Sequence, residues 1–197
     1  MTTLALLRHA PTEWNAGKRL QGRADIALSE PARTTLRRQA LPPEVAGFHA
    51  LVSPLARAQE TARLLGLDAR VEPRLIEMHW GRYEGQTIAA LRAEHGPAFS
   101  ANEARGVDFM PEDGESPRMV QERIRPLLTE IAAAARPTLA ITHRGVIRAV
   151  YALATGWDMT GEAPHKLDLY AMQIFTLDAA ARPAIAMLNL PLAERRP

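Results

Sequence analysis

Three short apolar runs, each broken abruptly by residues able to hold an anion, constrain this chain more than any other feature. Leu4 to Leu7 delivers Arg8 and His9, Ala50 to Val52 delivers Ser53 through Arg57, and Thr138 to Thr142 delivers His143 and Arg144. A strand with one wet face alternates apolar and polar residues, so unbroken apolar runs of this length read as strands buried on both faces. Helical patterns follow from Leu55 to Leu65, with Gly66 as the stop, and from Gly145 to Leu153. Strands that lead into helices predict an α/β protein of three layers, with a mainly parallel central sheet flanked by helices. In such sheets ligands bind beyond the carboxyl ends of the strands, so the three polar termini are expected at one site.

The remaining elements fit around that frame. Ile88 to His95 reads as a helix ended by Gly96-Pro97, and Ser116 to Ala135 as one opened by a cap followed by proline. The stretch 96–116, rich in Gly, Pro and acidic residues, is expected to cap the site as a loop or short helices. Apolar residues alternate near 171–177 and 184–190, which predicts two final strands forming an edge hairpin. With no repeat or linker in view, residues 1–197 are expected to form a single domain.

Composition closes off several functions. At 197 residues the chain can bury a core without disulfides or a structural metal, and 47% hydrophobic with 23% charged residues is unlike a disordered protein. Basic residues (24) exceed acidic ones (22) by only two, and no basic run is longer than Arg195-Arg196. Aromatic residues make up 5%, so neither a charged stripe nor a stacking platform is present, and no nucleic-acid partner is expected. Without cysteine there is no thiol nucleophile and no thiolate metal site. The apolar start is cut off at Arg8, too short for a signal-peptide core or a membrane span, which predicts a cytoplasmic protein with no membrane partner. Nothing in the sequence sets an oligomeric state.

Five segments carry a resemblance to a known family. Arg8-His9-Ala10-Pro11-Thr12-Glu13-Trp14-Asn15, followed by Gln21-Gly22, is similar to the R-H-G-x-T-x-x-N signature of the histidine phosphatase superfamily, also called phosphoglycerate mutase-like. Ser53 to Ala62 resembles its S-x-x-x-R-A-x-x-T-A segment. Leu75 to Gly81 with Glu84-Gly85, Asp113 to Ser116, and Thr142 to Val146 continue the match in the family's order. The run Glu77-Met78-His79-Trp80-Gly81-Arg82-Tyr83-Glu84-Gly85 is similar to the branch that includes α-ribazole phosphatase and broad-specificity phosphatases.

That resemblance implies a division of labour. His9 would attack phosphorus and carry the phosphate as a phosphohistidine, which needs a neutral ring nitrogen with its lone pair free. Arg8, Arg57 and His143 would bind the phosphoryl group, the guanidinium forks by paired hydrogen bonds and His143 as a protonated ring or a donor tautomer. Glu77 would protonate the leaving oxygen, a role that requires a raised pKa, with Glu13, Glu84 and Glu115 as rivals. Taken alone, His9 and His143 also suit strand-end histidines bonded to backbone, the arginines suit the surface, and Glu77 suits a salt bridge to Arg74 or Arg82. Asn15, Gln21 and Gly22 orient the phosphate or simply shape a turn. No histidine spacing suits a metal, and no cofactor is expected.

Two positions depart from the pattern. Ala10 stands where glycine is most common, which would cost about 1 kcal/mol if that backbone needed a positive φ. Arg144 stands where glycine or glutamine is usual, and either meets a second anionic group of the substrate or points to solvent. The leading function is hydrolysis of a small phosphorylated metabolite. The alternatives are a phosphoglycerate mutase, which would return the phosphate to a bound sugar acid, and a non-catalytic domain that binds or senses a phosphorylated ligand.

Overall fold

The structure, a computed structural model, describes residues 1–195. In chain order the elements are β1 (Thr2–Arg8), α1 (Glu13–Ala16), α2 (Glu30–Arg37), β2 (Gln39–Ala40), β3 (His49–Val52), α3 (Ala56–Leu64) and β4 (Arg70–Val71). There follow α4 (Ile88–Glu103), α5 (Pro117–Ala134), β5 (Thr138–Thr142), α6 (Arg144–Thr155), β6 (Met172–Leu177), β7 (Pro183–Leu190) and β8 (Ala193–Glu194).

Six strands make one sheet in the order β4-β3-β5-β1-β6-β7. β4, β3, β5 and β1 run parallel, and β6 and β7 turn back antiparallel. β2 and β8 pair separately. The three apolar runs are therefore adjacent central strands, with Arg8 opposite Thr142 and Val52 opposite Ile141 in register. That register brings Arg8-His9, Ser53 and His143 to the same sheet end. The final hairpin is present, but only β7 lies at the edge; β6 pairs with β1 and is buried along most of its length.

Alternation along β1 explains the three layers. Leu4 and Leu6 face a cluster completed by Ile124, Leu128, Val146, Val150 and Tyr151 of α5 and α6. Ala5 and Leu7 face the opposite cluster, with Leu36 of α2 and Ala58 and Ala62 of α3. Helix α5 buries Val120, Ile124, Leu127, Leu128 and Ile131, a stripe at helical spacing in which each large side chain contributes on the order of 2 kcal/mol. Its start is fixed by Ser116, whose side chain accepts the N–H of Met119, and by Pro117 in the first turn.

The helix predicted to stop before Gly96 does not end there. Gly96 takes φ 50° and ψ −128°, which breaks the helical path, and the chain resumes as helix from Pro97 to Glu103. Proline costs nothing in a first turn, and Phe99 draws this second half inward against Tyr83 and Phe109. About half of 96–116 is thus helix or a short 3-10 turn at Gly106–Asp108, and it packs on the loop that follows Glu77. No helix among the described residues is long and apolar enough to cross a membrane.

Candidate active site

His9 is buried where β1 ends, its backbone N–H held by the carbonyl of Thr142 at 2.9 Å. Its Nδ1 lies 2.7 Å from the carbonyl oxygen of Ala10. A carbonyl only accepts, so the ring hydrogen sits on Nδ1 and Nε2 keeps its lone pair. Burial pushes the pKa of His9 well below the ordinary imidazole range, with Arg8 and then Arg57 adding repulsion. The ring is held neutral. Ala10 needs no glycine: its φ is negative, and its N–H donates to Thr61 Oγ1 at 3.0 Å.

Arg57 enters from the first turn of α3 and is fully buried. Its two terminal nitrogens donate to the carbonyls of Ala24 and Gly22, each at 2.7 Å. That loop is itself fixed by Glu84, whose carboxylate accepts the N–H groups of Arg23 (2.8 Å) and Ala24 (3.0 Å). Arg8 lies half-buried with its guanidinium 5.9 Å from the centre of the Tyr170 ring. Neither Arg8 nor Arg57 forms an ion pair among the described residues, and burial lowers the pKa of both.

His143 caps α6 and is fully buried, its ring centre 5.2 Å from that of His9. Burial is the main cause that pushes its pKa well down, followed by His9, Arg57 and Arg8. Of the two expected states, protonated ring or donor tautomer, this environment disfavours the protonated one.

Four buried side-chain atoms among the described residues have no protein partner: Arg8 Nε, Arg57 Nε, His143 Nδ1 and Gln21 Oε1. Three belong to the arginines and the second histidine that surround His9. Buried polar atoms are normally satisfied, so a group of orphaned nitrogens beside a neutral imidazole, two of them on guanidinium groups that can only donate, marks a place for an oxygen-rich anion. The fourth belongs to an amide, and turning it by 180° would present the Nε2 donor at the same place.

Glu77 approaches from the loop after a short 3-10 turn at Pro73–Leu75. Its carboxyl oxygen Oε1 accepts the N–H of Met78 (2.8 Å) and of Gly145 (3.0 Å), in the first turn of α6. A side chain at Gly145 would collide with that carboxyl and come within 3.0 Å of Met78 Cβ, so this close approach requires glycine. Burial raises the pKa of Glu77, against the opposing pull of the Met78 N–H, Arg57, Arg8 and Arg123.

The proposed salt-bridge partners are taken elsewhere. Arg74 pairs with Glu72 and Glu130, and Arg82 with Glu112 and Asp113, so among the described residues Glu77 has no ion pair. Of its rivals, Glu115 pairs with Arg123 at 2.7 Å, Glu84 holds the 22–24 loop, and Glu13 is exposed.

Sequence reasoning missed the clamp around the acid. Arg123 of α5 donates to the carbonyls of Arg74 and Ile76 as well as to Glu115, while Glu115 accepts the N–H of His79 at 3.3 Å. Both flanks of Glu77 are thereby tied to one helix. Asn15 serves a turn: its Oδ1 accepts the N–H of Thr12 at 2.9 Å and completes the cap of α1. Arg144 is exposed at the start of α6, next to the residue whose N–H holds Glu77. Among the described residues no three His, Asp or Glu side chains are gathered to hold a metal ion.

The chain is similar to proteins already known. A sequence model of the histidine phosphatase superfamily (branch 1) matches residues 4–190. The chain is 35% identical over 167 residues to glucosyl-3-phosphoglycerate phosphatase of Mycobacterium tuberculosis (strain ATCC 25618 / H37Rv), covering 76% of this chain and 73% of that one. It is 28% identical over 195 residues to a probable phosphoglycerate mutase of Enterobacter sp. (strain 638), covering 94% and 89% respectively. Among solved structures, that of a mycobacterial glucosyl-3-phosphoglycerate phosphatase in complex with VO3 superposes with a TM-score of 0.76 at 30% identity, covering 96% of this chain and all of that one.

Proposed function

The chain belongs to the histidine phosphatase superfamily, and from that premise we propose that it is a metal-independent phosphomonoesterase working through a phosphohistidine at His9. The observation that carries this reading is the pairing of a free lone pair at His9 Nε2 with buried nitrogens of Arg8, Arg57 and His143 that have no partner among the described residues. Nε2 attacks phosphorus in line with the ester oxygen. The N–P bond forms as the P–O bond breaks, and the proton of Glu77 passes to the departing oxygen. Water then attacks the phosphohistidine, gives its proton back to Glu77, and releases inorganic phosphate and neutral His9. Arg8, Arg57 and His143 stabilise charge on the non-bridging oxygens in both steps.

The substrate class we infer is a small phosphorylated metabolite bearing a second anionic group. Two supports bear on this: a relative is named for glucosyl-3-phosphoglycerate, an ester that carries a carboxylate, and among the described residues Arg144 has no ion-pair partner beside the Gly145 that holds Glu77. The segment 96–116, packed on the loop after Glu77, forms the cap of the leaving-group side.

The long match to a probable mutase favours one rival, return of phosphate to a sugar acid. A coupled assay with 3-phosphoglycerate and catalytic 2,3-bisphosphoglycerate separates them. Phosphate release exceeding isomerisation, unchanged by EDTA, is expected; faster isomerisation would establish the mutase, and loss of activity on chelation would reject the metal-free route.

A further inference from the structure

Ser53 directly follows β3, with its side chain fully buried and its Oγ 2.6 Å from Nε2 of His143, a residue 90 positions away. The reaction scheme assigns Ser53 nothing, yet the direction of this hydrogen bond decides what His143 presents on its other side. A hydroxyl carries one hydrogen and can accept twice. Ser53 Oγ already accepts the backbone N–H of Leu55 at 3.3 Å, and among the described residues His143 Nε2 is the acceptor in reach of its hydrogen. Were His143 to donate through Nε2 instead, the hydroxyl hydrogen would be buried without a partner. The unpartnered Nδ1 of His143 would then turn a lone pair, rather than a donor, toward the anion site.

We propose that Ser53 is a positioning residue that donates to His143 Nε2 and thereby locks His143 in the Nδ1–H tautomer, making a neutral ring a hydrogen-bond donor to the phosphoryl group. The proposal rests on the phosphatase reading and refines it. His9 and His143 then share one tautomer and differ in which nitrogen faces the substrate. In His9 the Nδ1–H is tied to the Ala10 carbonyl and the lone pair is offered; in His143 the lone pair is tied to Ser53 and the N–H is offered. A nucleophile and a donor arise from identical side chains without a charge on either ring, because each ring is held at the opposite nitrogen.

Long-range 1H–15N correlation spectra of protein carrying 15N-histidine test this directly, with His143 assigned by its loss in His143→Gln. Wild type is expected to show a pyridine-type Nε2 and a pyrrole-type Nδ1 at His143. In Ser53→Ala the ring should redistribute toward Nε2–H, and inorganic phosphate should bind about tenfold more weakly, the loss expected for one hydrogen bond to a charged group. A wild-type His143 protonated at Nε2 or at both nitrogens would overturn the proposal, as would a folded Ser53→Ala with unchanged tautomer and phosphate affinity. If that variant does not fold, the wild-type spectrum alone decides. Absence of phosphate release from any ester by wild type would instead defeat the phosphatase reading, which the nitrogen shifts do not depend on.

Discussion

The two halves of the site treat charge in opposite ways. On the nucleophile side Arg8 and Arg57 sit beside His9 and His143 with no ion-pair partner among the described residues and with donors to spare. On the leaving-group side the arginines are committed: Arg123 to Glu115, and Arg74 to Glu72 and Glu130. There it is a carboxyl, Glu77, that forms no ion pair among the described residues. An arginine whose partners are all protein groups is scaffold, whereas one buried with an unmade hydrogen bond is waiting for a ligand. Burial is the main cause of both perturbed protonation states: Arg8 and Arg57 add to it in holding His9 unprotonated, whereas at Glu77 burial outweighs the pull of those same arginines and of Arg123 and favours the protonated form.

Substitutions on the two sides should therefore fail differently. Arg57→Lys keeps a charge but cannot serve the carbonyls of Gly22 and Ala24 and the anion together, and kcat/KM should fall about 10³-fold. Steady-state kinetics showing a loss of only a few-fold would remove Arg57 from the site. Arg123→Ala should act first on stability, lowering the unfolding free energy by about 3 kcal/mol, because two loop carbonyls lose their donor while Glu115 loses its nearer cation and keeps only Arg23 at 3.5 Å. Denaturant titration measures this; a stable variant with selectively lost activity would mean that Arg123 meets substrate.

Glu77→Gln should lower kcat/KM about 10²-fold on an alkyl phosphate and far less on p-nitrophenyl phosphate, whose leaving group needs no proton. The signs of the pH profile follow from the two environments. His9 attacks only unprotonated, so wild-type kcat/KM falls as pH drops through its lowered pKa. Glu77 donates only while protonated, so activity falls again as pH climbs through its raised value. Glu77→Gln should abolish the alkaline decline alone; a variant that keeps it would place the acid elsewhere. The smallest effect is expected from Arg144→Ala, a rise in KM of roughly fivefold for esters carrying a carboxylate and none for p-nitrophenyl phosphate. Equal changes on both would assign Arg144 to general electrostatics.

How much of this could be read from sequence depended on whether a residue's signal was local. β1, β3 and β5 were legible because strands buried on both faces announce themselves as apolar runs, and the residues ending them carried the family resemblance. Helix α2 was not, since only Ala32 and Leu36 of its eight residues are buried and two apolar positions make no period. β4 is two exposed residues, a strand only because β3 pairs with it. The second half of α4 was hidden by a Gly-Pro pair that ends most helices but here only bends one. The clamp of Arg123 on Arg74 and Ile76 and the bond from Ser53 to His143 join residues tens of positions apart, so no spacing foretells them. Asn15 shows the converse limit, a motif residue whose visible contacts all serve its own turn.

In the proposed mechanism His9 Nε2 carries phosphate between substrate and water, which rapid quench into base with a 32P-labelled ester, followed by peptide mapping, can detect. Label is expected on the peptide containing His9, stable in base, lost in acid, and absent from His9→Ala, which should fold normally and lose at least roughly 10⁴-fold in turnover. Label that survives acid, or a His9→Ala protein that still turns over at the wild-type rate, would contradict it.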